Sequence, residues 1–379
     1  MLTRVTFLLA KDPAREQGGD LATSRVVMRL AADAFDVSAI CLAAEGGTHH
    51  YDLGPGIDLV KVPKPPVAPP RLMLKSARSR RSLVHERFDA DGLLPAIEAS
   101  DADVFVAEHS YMAETFLRSK RRSDARLIIN TINTESQVWK ATRGWLGRLE
   151  CPRILRDEVR VARAADAVGT YDAEEAEFYR DNGVPAARWI DLTIPPQQQI
   201  DIASTAPRLV FFGVRDWPPN QEAFLKSLEL WPRISAGIPG AELMIAGAKK
   251  PGARDPQYPP GVHDVGFVPD LAEFLSTCRA LMAPIKTGGG VRAKLLDAAS
   301  RGLPVVATTP AIGSHGELLN LVARDADDDF VDQCRRFLLD RSAAAAAGRE
   351  LYEINRLHWE HGRPRQSIEN LLGAAAQVI

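Results

Sequence analysis

Residues 284–301, PIKTGGGVRAKLLDAASR, place three glycines ahead of two cations and an acid on a helical period. The unpaired amides and partial positive charge of a helix N-terminus attract an anion, and side-chain-free Gly288, Gly289 and Gly290 let it approach the backbone. Phosphate is the natural ligand, with Val291 at the helix start and Arg292 and Lys294 as cations. On the helix, Val291, Leu295, Ala298 and Ala299 share the apolar stripe. Lys294, Asp297 and Arg301 lie on another face at i, i+3 and i+7. The plain alternative is a tight turn and a Lys294–Asp297 surface pair worth a few tenths of a kcal/mol. Neither a P-loop GK[ST] nor a GxGxxG is present.

The elements that must carry this loop follow from periodicity. VTFLLA (5–10), DVSAICLAA (36–44), DVFVA (103–107) and RLIIN (126–130) read as buried strands between amphipathic stretches. The pattern lapses at 191–208, DLTIPPQQQIDIASTAPR, which reads as a linker. It resumes with RLVFFG (208–213), AELMIAG (241–247), VHDVGFV (262–268), RALMAP (279–284) and LPVVATT (303–309). Alternation of this kind predicts an α/β chain with two Rossmann-like domains on parallel sheets. The domains predicted are 1–190, a linker 191–207, then 208–360. Residues 361–379 form a final apolar helix that packs back on the first domain. The alanine run 343–347 reads as helix.

Composition narrows the class. At 379 residues the chain exceeds one ordinary core, and a net charge of −2 with pI near 6.5 gives no general attraction to nucleic acid. Cys41, Cys151, Cys278 and Cys334 show no CxxC spacing, so neither a zinc site nor a disulfide framework is expected. No apolar run approaches the ~20 residues that span a bilayer, and the N-terminus lacks a cleavage signal. A cytoplasmic protein without a transmembrane segment is expected, with peripheral membrane contact left open.

The stretch GFVPDLAEFLSTCRALMAPIKTGGGVRAKLLDAASRGLPVVATTPAIGSHG (266–316) resembles the donor half of the GT-B retaining glycosyltransferases called family 4. The matching residues are Pro284, Gly288 to Gly290, Arg292, Lys294, Asp297, Gly302, Pro304, Val305 and Val306. VFFGVRDWPPNQEAF (210–224) is similar to that family's first strand and loop of the second domain, with Gly213, Trp217, Pro219 and Asn220. QGGDLATSRVVMRLA (17–31) resembles its glycine loop after β1, which implicates Gly18 and Gly19. The resemblance implies two Rossmann-like domains facing across a cleft, a terminal helix returning to the first, and transfer of a sugar from a nucleotide-diphosphate sugar to an acceptor hydroxyl with retention. It further implies hexosyl transfer with no metal and no cofactor beyond that donor.

Departing diphosphate needs amides and cations. The resemblance assigns these to the glycine loop, Arg215, and Lys294 or Arg292, and ribose binding to Asp297. The family's paired glutamates would fall near Gly289 and Asp297, so the first is absent and the second shortened. Acidic DADDDF (325–330) reads as a helix start, not a metal motif. His109 follows a buried strand, the crevice position of open sheets, where the family has a histidine touching the transferred sugar. The alternative is a solvated loop histidine. NTINTESQVW (130–139) is similar to an "HN.E" loop through Asn133 and Glu135, or else Thr134 caps a helix. Thr170 and Asp172 read as structural caps, and RSRR (78–81) as a solvated face or one that meets an acidic acceptor. Two other classes stay open: a GT-B partner or glycan-binding subunit that no longer transfers, and another nucleotide-sugar enzyme of the same fold. A dinucleotide oxidoreductase is disfavoured by the missing GxGxxG.

Overall fold

The computed structural model describes residues 2–46, 49–249 and 252–373. The chain divides into two compact units, one comprising residues 1–192 with 364–379, the other 193–363. In the first, seven parallel strands are ordered β3-β2-β1-β4-β5-β6-β7: β1 Arg4–Leu9, β2 Asp36–Ala43, β3 Asp58–Pro63, β4 Val104–Glu108, β5 Arg126–Thr131, β6 Ala167–Thr170 and β7 Ala187–Trp189. In the second, five parallel strands are ordered β10-β9-β8-β11-β12: β8 Arg208–Phe212, β9 Glu242–Ala246, β10 Val262–Gly266, β11 Ala280–Ala283 and β12 Val305–Ala307. Helices cover both faces, so central strands such as β4 and β11 are buried at every residue.

Each order reverses once, between β1 and β4 in the first sheet and between β8 and β11 in the second. Ligands of open α/β sheets bind beyond the carboxyl ends of the strands at such a switch point. Gly18 and Gly19 follow β1, His109 follows β4, Gly213 follows β8, and Gly288 to Gly290 follow β11. Arg215 also follows β8, whereas Asn133 and Glu135 follow β5, and Thr170 and Asp172 lie at the end of β6.

The stretch expected as a linker holds the division between the two units, at 192/193, and from there straps the second unit. Gln197 and Ile200 donate their amides to the carbonyls of Ser300 and Arg301 (2.8 and 2.9 Å), and Ile200 and Ile202 enter the core. Its prolines and glutamines abolish periodicity without freeing the backbone. The helix Arg363–Gly373 buries Ile368, Leu371 and Leu372 on the first unit, where Arg188 donates to the Asn370 carbonyl (3.2 Å). The remainder of the expected terminal helix, 374–379, lies outside the described residues. The four cysteines are free thiols.

The helix Ala293–Arg301, which carries the glycine loop, begins two residues later than the periodicity suggests and ends at Gly302 in the left-handed region (φ 68). A Cβ at Gly302 would stand 2.9 Å from the Gly348 carbonyl oxygen of the long helix Arg341–Glu360. Gly302→Ala therefore combines left-handed strain with backbone overlap and is expected to cost about 2 kcal/mol or more. Denaturant unfolding should show this as a lowered midpoint at unchanged slope.

Candidate functional site

The second unit's pole is built from the ends of β8 and β11. Lys294, in the first turn after the glycine loop, reaches back so that its Nζ donates to Asn220 Oδ1 and lies 5.5 Å from the Phe211 ring centre. Asn220 is fixed by donating Nδ2–H to the Val214 carbonyl (2.9 Å), which turns its oxygen toward the ammonium. Gly213 turns at φ 154, which L side chains rarely adopt, and a Cβ there would stand 2.9 Å from Lys294 Nζ. Burial pushes Lys294 down to about 8, and no carboxylate among the described residues pairs with it. It is a half-buried cation at a switch point, held by one neutral amide.

The glycine loop has mixed reasons for its composition. At Gly288 a Cβ would overlap the Pro310 carbonyl oxygen, and Gly290 turns at φ 63, with Gly289 between them. Arg292 caps the helix and folds its guanidinium onto the Gly290 carbonyl, which stabilises the loop. Val291 is half-buried ahead of the helix.

Asp297, one turn beyond Lys294, does not form the Lys294 pair. Its carboxylate has no hydrogen bond or ion pair among the described residues, and burial pushes it up to about 6 against the partial relief of Arg301. Ionising such a group costs stability that appears as pH rises from its ordinary value near 3.8 through 6. Asp297→Asn should therefore raise the melting temperature of the free protein at pH 7. With Asp297 holding the ribose, as the resemblance implies, the same change should weaken binding of a nucleoside diphosphate. A calorimetric scan and a binding titration of one sample measure both.

Arg215 corrects an expectation. Its side chain is 2% exposed, and its two terminal nitrogens donate to both Asp264 oxygens (2.8 and 2.9 Å), over the Phe224 ring. Tyr258 donates to the same carboxylate (2.6 Å). A guanidinium committed bidentately to a partly buried acid ties the loop after β8 to β10 and is not a free cation for diphosphate. Asp216, Trp217 and the prolines that follow leave no replacement in this loop, so Lys294 stands without it.

The first unit's pole is built around Gly18 and Gly19, which the resemblance implicates. Gly18 is extended (φ 167), and a Cβ there would overlap Asp20 Oδ1. Asp20 lies in the first turn of the helix Gly19–Ala32 and is paired with Lys11 (2.6 Å). Burial raises the Asp20 pKa, but the Lys11 charge and hydrogen bond outweigh it and hold the group ionised. The Asp20 carboxylate, in the first turn of this helix, therefore lies directly beside Gly18.

His109 stands where β4 ends, with φ 77 and ψ 143, a conformation uncommon for a residue with a Cβ. Its ring stacks on Tyr111 (centroids 4.8 Å, 10° between planes), and Nδ1 is buried without a hydrogen bond. Burial pushes His109 down to about 4, with Asp20 opposing, so the imidazole is neutral at neutral pH. It is not a solvated loop residue. Beneath it, buried Glu108 accepts from Ser24 and Asn130 and is pushed up to about 8 by burial.

Around these poles the local expectations resolve case by case. Thr134 precedes the helix Glu135–Thr142 but makes no cap bond. Glu158 accepts instead from the amides of Glu135 and Ser136 (2.6 and 3.2 Å). Glu135 accepts from Trp139 Nε1 (2.9 Å), and the Asn133 amide oxygen is buried. Asp172 does cap its helix, accepting from Glu174 N, and Thr170 binds the Asp172 carbonyl. The acidic run 325–330 forms ion pairs, Asp327 with Lys226 (2.7 Å) and Asp328 with Arg233. Lys11, Asp20 and Tyr111 were missed in the sequence. A charged residue directly after two glycines at a helix start was the available signal for Asp20.

Comparison with known proteins follows the same division. Residues 17–190 match the family described as glycosyl transferase 4-like domain, and residues 206–340 match glycosyl transferases group 1. Among solved structures, the chain is similar to sucrose-phosphate synthase of Thermosynechococcus elongatus. The two are 14% identical over 96% of this chain and 97% of that one, with a TM-score of 0.71. It is also similar to HepE of Anabaena, solved with UDP and glucose (13%, 98% and 100%, TM-score 0.66). A third is WaaG, a glycosyltransferase of lipopolysaccharide biosynthesis (15%, 97% and 100%, TM-score 0.64). The search of curated proteins gave no match.

Proposed function

Because the chain belongs to the GT-B glycosyltransferases, its first half of the 4-like type and its second of group 1, we propose that it transfers a hexosyl group from a nucleotide-diphosphate sugar to an acceptor hydroxyl with retention and without a metal ion. The observation that carries this reading is Lys294, a cation at the second sheet's switch point with no acidic partner among the described residues and a glycine loop beside it.

The bond from the anomeric carbon to the diphosphate oxygen breaks, and one to the acceptor oxygen forms. The acceptor proton leaves with the diphosphate. Charge developing on that group is met by the Lys294 ammonium and the amides at the start of its helix. Asp297 accepts the ribose hydroxyls, and neutral His109 hydrogen-bonds the transferred sugar. Arg292 supports the loop rather than the ligand. The UDP and glucose held by HepE motivate a uridine nucleotide as the first donor to try.

Tryptophan fluorescence titration with UDP, GDP, TDP and NAD, in EDTA, tests this reading. Trp217 caps the helix that carries Asn220, so it reports on the Lys294 pole. A saturable response to at least one nucleoside diphosphate, lost in Trp217→Phe, is expected. A response to NAD and to none of the diphosphates would overturn it.

A further inference from the structure

One helix of the first unit is amphipathic in the wrong sense for a globular surface. Pro69–Ser79 buries only Ser76, with Leu72 half-buried one turn before it. These two face the protein: Arg153 donates to Ser76 Oγ (2.8 Å) and to the Arg81 carbonyl (2.5 Å). Pro70, Met73, Leu74 and Ala77, spaced i, i+3, i+4 and i+7, form an apolar stripe pointing away from it, with Met73 65% and Leu74 52% exposed. Arg71, Lys75 and Arg78 form a flanking stripe and make no ion pair with any described residue. From Lys64 to His85 the chain carries six Lys and Arg, namely Lys64, Arg71, Lys75, Arg78, Arg80 and Arg81, and no Asp or Glu.

The helix Gly144–Arg163, which supplies Arg153, repeats the pattern at its start. Trp145 and Leu149, at i and i+4, are 75% and 63% exposed, and Arg148 between them has no ion pair among the described residues. Short helices draw most of their stability from a packed apolar face, and here that face packs on nothing in its own unit.

We infer that this surface of the first unit docks on an anionic lipid bilayer, with Met73, Leu74, Trp145 and Leu149 entering the interface and Arg71, Lys75, Arg78 and Arg148 meeting lipid phosphates. Charge selects the occupant. Uncompensated cations interleaved with long apolar side chains and a tryptophan match a headgroup layer over acyl chains. No described helix is long and apolar enough to cross a membrane, so contact would be along the surface.

Co-sedimentation of the full chain with phosphatidylcholine vesicles, with and without phosphatidylglycerol, tests this independently of any transferase activity. Binding to the anionic vesicles alone is expected, falling with added salt. Lys75→Glu with Arg78→Glu should weaken it by about tenfold or more, as should Met73→Ser with Leu74→Ser. These positions are exposed, so thermal melting should be unchanged in both pairs. Quenching by bromolipid should fall in Trp145→Phe. Wild-type protein that stays in the supernatant with anionic vesicles would overturn the inference, as would binding by both variant pairs undiminished from the wild type. Self-association abolished by Leu74→Asp, with no vesicle binding, would assign the face to a protein contact and overturn it too.

Discussion

Replacing Lys294 with alanine is expected to weaken nucleoside diphosphate binding by about one to two orders of magnitude, the ~1.5–3 kcal/mol of a hydrogen bond to a charged group. The size follows from isolation: Arg215 is consumed by Asp264 and Arg292 by the loop carbonyl. Arg292→Ala should have the smaller effect, and the reverse order would move the role to Arg292. The pH dependence has a definite sign. Lys294 is charged below about 8, so wild-type affinity should fall as pH rises through that value, and the slope should vanish in Lys294→Ala. Because the folded pKa lies below the ordinary 10.5, the charged group costs the free protein stability at neutral pH, a cost relieved between about 8 and 10.5. Lys294→Met should therefore melt higher than wild type while binding worse. A residue kept for packing would not show that opposition. Calorimetric titration across pH 6–10 measures the binding arm.

His109→Ala is expected to lower kcat by about two orders of magnitude, the range of one preorganised hydrogen bond to a reacting group. The affinity for nucleoside diphosphate should not change, since that ligand is assigned to the Lys294 pole. With its pKa pushed down to about 4, His109 remains neutral to well below pH 6. The kcat profile should then lack an acidic limb near 6.5. His109→Gly should recover none of the activity yet raise stability, because φ 77 is relaxed for glycine at about 1 kcal/mol. His109→Gln, which keeps a donor, should recover part of the rate. An unchanged kcat in His109→Ala would remove the residue from the reaction.

What the sequence made legible was whatever depends on local pattern. The buried runs gave most of both sheets, and the glycine loop with Lys294 and Asp297 was readable because helix geometry fixes their spacing. Strand β3 went unread because it is an edge strand, largely exposed, and carries no apolar run. Strand β7, three residues long, left no period to detect. Arg215 was misjudged for a different reason: its partner Asp264 lies 49 residues on, and only strand order brings β8, β9 and β10 into line. The Asp20–Lys11 pair was likewise hidden, since both residues look like ordinary surface charge in sequence. RSRR was visible as a charge run, but its meaning rests on the outward apolar stripe, which requires knowing which helix face is covered.

The transfer reaction itself is tested most directly by watching its products. Proton NMR of the full chain with a panel of α-linked nucleotide sugars, in EDTA and without added acceptor, should show at least one donor consumed. The products should be nucleoside diphosphate and a sugar whose first-formed anomer is α, and Lys294→Ala should be silent. Binding of a nucleoside diphosphate with no donor consumed by the wild type, or a first-formed β anomer, would contradict the account.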